Sequence, residues 1–163
     1  MGSGKESEVG LMGFEIERKW LLNELPQFII KDLESFEKIQ MIQAYLCRRP
    51  VIRIRRENDQ YVLTYKGEGY KVREEYNLPL NESAFYDLLK KCTGTVIYKE
   101  RYIIPLENGL NAELDVFKEN HAGLLLLEVE FENEEEADSF EAPLWFGKEV
   151  TGLKKYTNSY ISS

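Results

Sequence analysis

Apolar and polar side chains alternate along most of this chain. A period of two marks strands with one face on each side of a sheet. The alternation predicts strands over 14–21, 38–48, 51–57, 60–66, 70–78, 95–104, 111–117 and 124–132. Glu57-Asn58-Asp59-Gln60, Lys66-Gly67-Glu68-Gly69 and Asn108-Gly109 supply turn residues between several of them. A helical period follows Asn81, a suitable N-cap, where Phe85, Leu88, Leu89 and Cys92 fall on one stripe. A second helix over 134–141 opens on Glu134-Glu135-Glu136 and stops before Pro143. Acidic residues in a first turn suit the helix dipole. A third helix is expected over 152–161 and a short one within 28–36. Eight mostly antiparallel strands with few helices leave a sandwich or a barrel.

The polar rows are unusual in what they contain. Glu15, Glu17 and Lys19 share a face of the first strand, against Phe14, Ile16, Arg18 and Trp20. Arg53 and Arg55 share a face, as do Val62, Thr64 and Lys66, then Arg73, Glu75 and Asn77. Lys99 and Arg101 oppose Tyr98 and Tyr102, Glu113 and Asp115 oppose Leu114 and Val116, and Glu128 and Glu130 oppose Leu127, Val129 and Phe131. Any one such pair reads first as the wet side of an antiparallel sheet. Yet wet faces mix Thr, Ser and Gln with charges of both signs, and like charges two apart contribute nothing to stability. Here the signs sort by strand. A site that binds a polyanion through a hard divalent cation needs both sets, carboxylates for the metal and Arg or Lys for phosphate oxygens. If these faces point inward, the sheet surrounds a charged bore that must stay wet, because burying so many charges dry costs several kcal/mol each. Arg18, on the apolar side of its strand, is expected outside the bore with its head in water.

Length and composition narrow the partners. At 163 residues, 43% of them hydrophobic and 12% aromatic, the chain suits one ordered domain. Residues 1–11 read as a disordered tail or expression scar and 12–163 as the domain. A net charge of −8 argues against a nucleic-acid surface but not against a local basic site. The longest apolar run is Leu124 to Leu127, too short for a membrane helix. Cys47 and Cys92 are isolated, and His121 is the one histidine, so a zinc site, a disulfide framework and a His-based triad are set aside. A cytoplasmic protein is expected.

"EIERK" at 15–19 resembles the ExExK signature of the CYTH superfamily, the triphosphate tunnel metalloenzymes. The resemblance continues through "IRIR" (52–55), Lys66, "REE" (73–75), "KER" (99–101), "ELD" (113–115), "EVE" (128–130) and the stretch "FGKEVTG" to "KYTN" (146–158). It covers residues 13 to about 158 in order, with departures at Asn77 and at Lys118-Glu119-Asn120-His121. The resemblance implies a mainly β fold, a closed eight-stranded antiparallel barrel forming a charge-lined tunnel with helices packed outside. It implies Mg²⁺ or Mn²⁺ as cofactor and a small-molecule triphosphate as substrate, with no nucleic acid and no membrane. Carried over by position, Glu15, Glu17, Glu113, Asp115, Glu128 and Glu130 are the metal-side carboxylates. Glu113 and Asp115 would act through water or at a second metal. Lys19, Arg53, Arg55, Lys66, Arg73, Lys99 and Arg101 grip phosphates, Glu75 orients a basic neighbour, and Glu15, Glu17, Lys99 and Arg101 form the catalytic set.

Tripolyphosphate carries roughly four negative charges near neutral pH, by extension from phosphate's second pKa. Metal-dependent hydrolysis of inorganic tripolyphosphate to pyrophosphate and phosphate is the first expectation. An adenylyl cyclase making cyclic AMP and pyrophosphate, a thiamine triphosphatase and a non-catalytic polyphosphate- or nucleotide-binding module are the alternatives. The complete acidic set argues against the last. The cyclase branch often carries a histidine ahead of ExExK, absent here. The oligomeric state stays open, a homodimer included.

Overall fold

The computed structural model describes residues 11–12, 16–68 and 73–163, with backbone alone at 11, 12 and 73. Glu15, the Arg73 side chain and the expectation for residues 1–10 therefore lie outside what is described. The strands are β1 (Leu11–Met12), β2 (Ile16–Leu22), β3 (Glu37–Arg48), β4 (Val51–Glu57), β5 (Gln60–Lys66), β6 (Arg73–Leu80), β7 (Thr93–Pro105), β8 (Asn111–Phe117), β9 (Leu125–Phe131) and β10 (Lys148–Glu149). Eight of them answer the predicted strands, and the short β1 and β10 are additions. They hydrogen-bond in the order β1-β6-β5-β4-β3-β7-β8-β9-β2-β10, every neighbouring pair antiparallel.

Hydrogen bonds among the described residues do not close this order into the expected barrel. Among the described residues the ladder has two ends, β1 and β10. The ends are joined through the chain instead. Only residues 13–15 separate β1, paired to β6, from β2, paired to β9. From Cα12 to Cα16 the chain reaches at most ~14 Å, so the sheet is strongly curled. Register shifts near Tyr45 on both sides of β3 add to the bend.

The outer face of the curl carries the apolar rows. Trp20, Leu22, Leu114, Leu127, Val129 and Phe131 form one buried cluster there with Ile29 of α1 (Gln27–Asp32), Ala137 of α3 (Glu134–Ser139) and Phe146. Ala44 and Ile54 form another with Phe85 of α2 (Glu82–Leu89). Each leucine, isoleucine, valine or phenylalanine among them, fully buried, stabilises the fold by about 1.5–3 kcal/mol. The predicted cap is present: Asn81 accepts from Ala84 N at 2.7 Å. Asn58, at φ 51°, makes the β4–β5 turn. No helix among the described residues is long and apolar enough to cross a membrane.

Two expectations need revision. The helix expected over 152–161 is a 3₁₀ turn at Lys154–Tyr156 and a single α turn, α4 (Asn158–Ile161). Thr157 separates them: its backbone is extended, and its hydroxyl accepts from Tyr160 N. A threonine that caps a new turn competes with continuing the old one. Arg18 does lie on the outer face, but its head is not simply in water. It hydrogen-bonds the carbonyls of Ala137 and Phe140 at 2.8 and 2.9 Å and pairs with Glu149 of β10. Its guanidinium stands 5.2 Å from the centre of the Trp20 ring.

Candidate active site

The concave face gathers the charged rows into one cavity of about 360 Å³. Lys19, Arg53, Arg55, Lys66, Lys99 and Arg101 line it, with Glu17, Glu113, Glu128 and Glu130. Among the described residues, six cations thus line the cavity with four carboxylates, on a chain of net charge −8. Cross-strand register explains the convergence, because direct antiparallel partners share a face. Lys19 lies opposite Glu128, Glu128 opposite Glu113, and Glu17 opposite Glu130. Two like-charge pairs set directly across strands are unfavourable for folding. An arrangement of that kind points to a ligand that repays it.

The acidic wall is β2, β9 and β8. Lys19 Nζ sits 3.1 Å from Glu128 and donates to the Tyr156 carbonyl at 2.9 Å. Arg101 reaches Glu113 at 3.0 Å and Glu128 at 3.6 Å. Burial raises the pKa of Glu113, against the pull of Arg101, and its neighbours Glu128 and Glu130 push the same way. The basic wall is β4 and β5. Arg53 Nε is buried and makes no hydrogen bond. Arg55 Nε lies 2.8 Å from Glu57, an ion pair out of line for a hydrogen bond. Burial lowers the pKa of Arg55, and the adjacent Arg53 charge lowers it further. Lys66 stands 3.6 Å from Glu75, the expected orienting carboxylate.

Between the walls sits β7. Lys99 is wholly buried, its Nζ 2.8 Å from Asp115 and 5.4 Å from the centre of the Phe117 ring. Burial pulls its pKa below the ordinary lysine range, although Asp115 works the other way. Asp115 differs from the other carboxylates. It is 1% exposed and is absent from the cavity lining. Its two oxygens take hydrogen bonds from Lys99 Nζ, Arg101 Nε and Arg101 Nη2 at 2.7–2.8 Å. Burial alone would raise the Asp115 pKa, but the two cations outweigh it and hold it at about 2. Arg101 is held well above its usual value, since Asp115, Glu113 and Glu128 overcome the cost of its burial.

The concave face is not charged throughout. Phe117 faces Lys99 across the β7–β8 ladder, and Leu126 faces Asp115. With Ile97 and Val150 they form an apolar cluster against Tyr156 and Ile161. Thr157, Asn158 and Ser159 complete the cavity wall beside it. The pattern of charged pairs did not single out these three, nor Gln43 and Tyr45, which also line the cavity. Gln43 is 1% exposed and donates to the Tyr45 hydroxyl at 2.9 Å. Their signal was present in the sequence: Met41, Gln43 and Tyr45 recur at period two in β3.

Oxygen donors of this kind fit a hard divalent cation. Among the described residues no three His, Cys, Asp or Glu side chains stand close enough to enclose one, and Glu15 of the ExExK motif lies outside them.

The CYTH domain family model matches residues 13–162. The chain belongs to the CYTH domain family. It is 34% identical over 151 residues to an inorganic triphosphatase of Nitrosomonas europaea, covering 91% of this chain and 96% of the relative. It is 32% identical over 154 residues to an inorganic triphosphatase of Acetivibrio thermocellus, covering 92% and 94%. A crystal structure of the inorganic triphosphatase NE1496 superposes with a TM-score of 0.73 at 33% identity, over 94% of this chain and 97% of that one. A Hippeastrum protein described as an adenylyl cyclase with dominant triphosphatase activity gives a TM-score of 0.52 at 18% identity, covering 77% of this chain and 83% of that one. That likeness extends to the fold alone.

Proposed function

We propose that this CYTH protein hydrolyses inorganic tripolyphosphate to pyrophosphate and phosphate with Mg²⁺ or Mn²⁺. The observation that carries the reading is the cavity itself, which among the described residues brings six cations together with four carboxylates, Arg53, Arg55 and Lys66 on one wall, Glu17, Glu113, Glu128 and Glu130 on the other, and Lys19, Lys99 and Arg101 beside or between the carboxylates. The two inorganic triphosphatases that align over nearly the whole chain support it.

Glu17, Glu128 and Glu130, with Glu15, would hold the cation, and Glu113 would add to their charge. A divalent metal there supplies Lewis-acid polarisation of a phosphoryl oxygen. The chain's own residues do the rest. Arg53 and Arg55 repel one another across one face, and a phosphate between them relieves that repulsion. Arg53 Nε, buried without a partner, offers a donor already desolvated. Lys99 and Arg101, fixed from behind by Asp115, meet the charge that develops on the phosphoryl oxygens. Lys19 and Lys66 neutralise the remaining phosphates. No His is among the described lining residues to activate Ser159 or Thr157 as a nucleophile, and in this proposal water attacks. Tyr45 is the one aromatic ring among them, which gives a nucleobase nothing to stack between. Selectivity therefore follows the phosphates. Closure of the curled sheet into a tunnel around them belongs to the same proposal.

Phosphate release from tripolyphosphate, ATP and thiamine triphosphate, run side by side with Mg²⁺, Mn²⁺ and chelator, tests the reading. Fastest release from tripolyphosphate, abolished by chelator, is expected. Faster release from either organic triphosphate would replace the substrate, and release in chelator would remove the metal.

A further inference from the structure

The geometry points to Asp115 as a positioning residue that aims Lys99 and Arg101 at the substrate, and not as a ligand of the metal. This rests on the phosphohydrolase reading of the cavity and assigns one of its parts.

Asp115 sits directly opposite Arg101 in the β7–β8 ladder. From there it binds Arg101 side-on through Nε and Nη2, one nitrogen to each oxygen, at 2.7 and 2.8 Å. Its Oδ2 takes a third bond, from Lys99 Nζ at 2.8 Å. The two cations stand two residues apart on one strand, and only a carboxylate between them keeps both charged in so buried a place. The cavity lining shows which side of the wall Asp115 occupies. Lys99 and Arg101 line the cavity, whereas Asp115, as buried as Lys99, does not and lies behind them. A metal ligand must present an oxygen to the ion. Three of the roughly four acceptor sites of the Asp115 carboxylate are already taken by the two cations, and Leu126 faces Asp115 across the β8–β9 ladder.

The arrangement also fixes direction. With Nε and one Nη2 proton occupied, Arg101 keeps its Nη1 protons and the second Nη2 proton, and these nitrogens lie 3.0 Å from Glu113 and 3.6 Å from Glu128 on the acidic wall. Lys99 has two protons beyond the one given to Asp115. Asp115 thus decides where two phosphate-binding heads point before substrate arrives, which is where catalytic advantage from orientation comes from. Its acidic companions in the rows, Glu113 and Glu128, remain at the cavity surface and keep the metal-side role.

Calorimetry on the whole chain separates the two roles without relying on turnover. Mg²⁺ is titrated into wild type, Asp115→Asn and Glu128→Gln, and tripolyphosphate is titrated into each protein in chelator. Asp115→Asn should bind Mg²⁺ as wild type does, bind metal-free tripolyphosphate more weakly, and lose roughly 100-fold in kcat/KM, the scale of a misplaced catalytic group. Adding Asp115→Asn to the double variant Lys99→Ala/Arg101→Ala should cost little more than that double variant alone, because Asp115 acts through those two heads. Mg²⁺ affinity that falls in Asp115→Asn as it does in Glu128→Gln, with tripolyphosphate binding unchanged, would overturn the assignment. Asp115→Glu keeps the charge while moving the heads. It carries the same two titrations with the same expected and overturning results if Asp115→Asn does not fold. A wild type that binds tripolyphosphate but does not cleave it would sink the hydrolase reading while leaving these titrations intact.

Discussion

Replacing Arg18 by alanine should cost stability and spare turnover. The side chain ties β2 to the end of α3 and to β10 on the outer face of the sheet. It gives two hydrogen bonds to the carbonyls of Ala137 and Phe140, together worth about 2 kcal/mol at the usual net value. The pair with Glu149 is partly exposed, at 24% and 37%, and adds a few tenths of a kcal/mol, about the surface value. The guanidinium over Trp20 at 5.2 Å adds ~0.5 kcal/mol. The sum is about 3 kcal/mol, which at this chain length corresponds to a loss of roughly 6–12 °C in Tm. Differential scanning calorimetry reads the first quantity and phosphate release at 25 °C the second. Turnover should stay within a few-fold of wild type, since no atom of Arg18 is on the cavity lining. A large loss of turnover with an unchanged Tm would refute the reasoning. It would mean that β2 presents its other face to the cavity, a slip of one residue that exchanges every side chain.

Three further outcomes follow from the same geometry. Glu128→Gln should raise the Mg²⁺ concentration needed for half-maximal activity, because it removes ligand charge while keeping shape; an unchanged metal titration would take Glu128 out of the metal set. Asp115 is held at about 2 in the fold against about 3.9 when unfolded, a depressed carboxylate, so its contribution is present above pH ~4 and is lost as pH falls towards 2. Acid unfolding of wild type should show that loss, and Asp115→Asn should lack it; identical acid profiles would count against the buried clamp. Gly94 has φ 74°, and a Cβ there would meet the Ser162 carbonyl at 2.0 Å and the Arg48 guanidinium at 2.8 Å. Gly94→Ala should therefore destabilise the chain by more than about 1 kcal/mol and loosen the C-terminal segment beside the cavity, read as faster amide exchange at 157–162. Wild-type exchange there would contradict it.

Much of the site could be read from period two alone, because strand geometry converts spacing into sidedness. Glu17, Lys19, Arg53, Arg55, Lys99, Arg101, Glu113, Glu128 and Glu130 all reach one cavity. What escaped was depth. Glu113 and Asp115 look equivalent in "ELD", yet one faces the cavity and the other is sealed under two cations, a difference set by neighbours on other strands. Neutral residues escaped for a second reason: Gln43 and Tyr45 carry no charge to mark them against a wet face. The apolar plug of Phe117, Leu126 and Ile97 was hidden because each lies in a strand where either face could be the core. Closure of the ladder is beyond a pattern of this kind, since it depends on how ten strands curl and not on which way their side chains point. Thr157 shows local chemistry prevailing over a helical stripe: one hydroxyl cap divides 152–161 into two turns.

The central claim is that six cations and a carboxylate-held metal recognise phosphates and nothing else. A competition followed by ³¹P NMR tests it most directly, with equal concentrations of tripolyphosphate and ATP and excess Mg²⁺ in one tube with wild-type protein. The account predicts that the tripolyphosphate resonances disappear first and give pyrophosphate and phosphate while the ATP resonances persist. Consumption of ATP ahead of tripolyphosphate, with cyclic AMP and pyrophosphate as products, would contradict it.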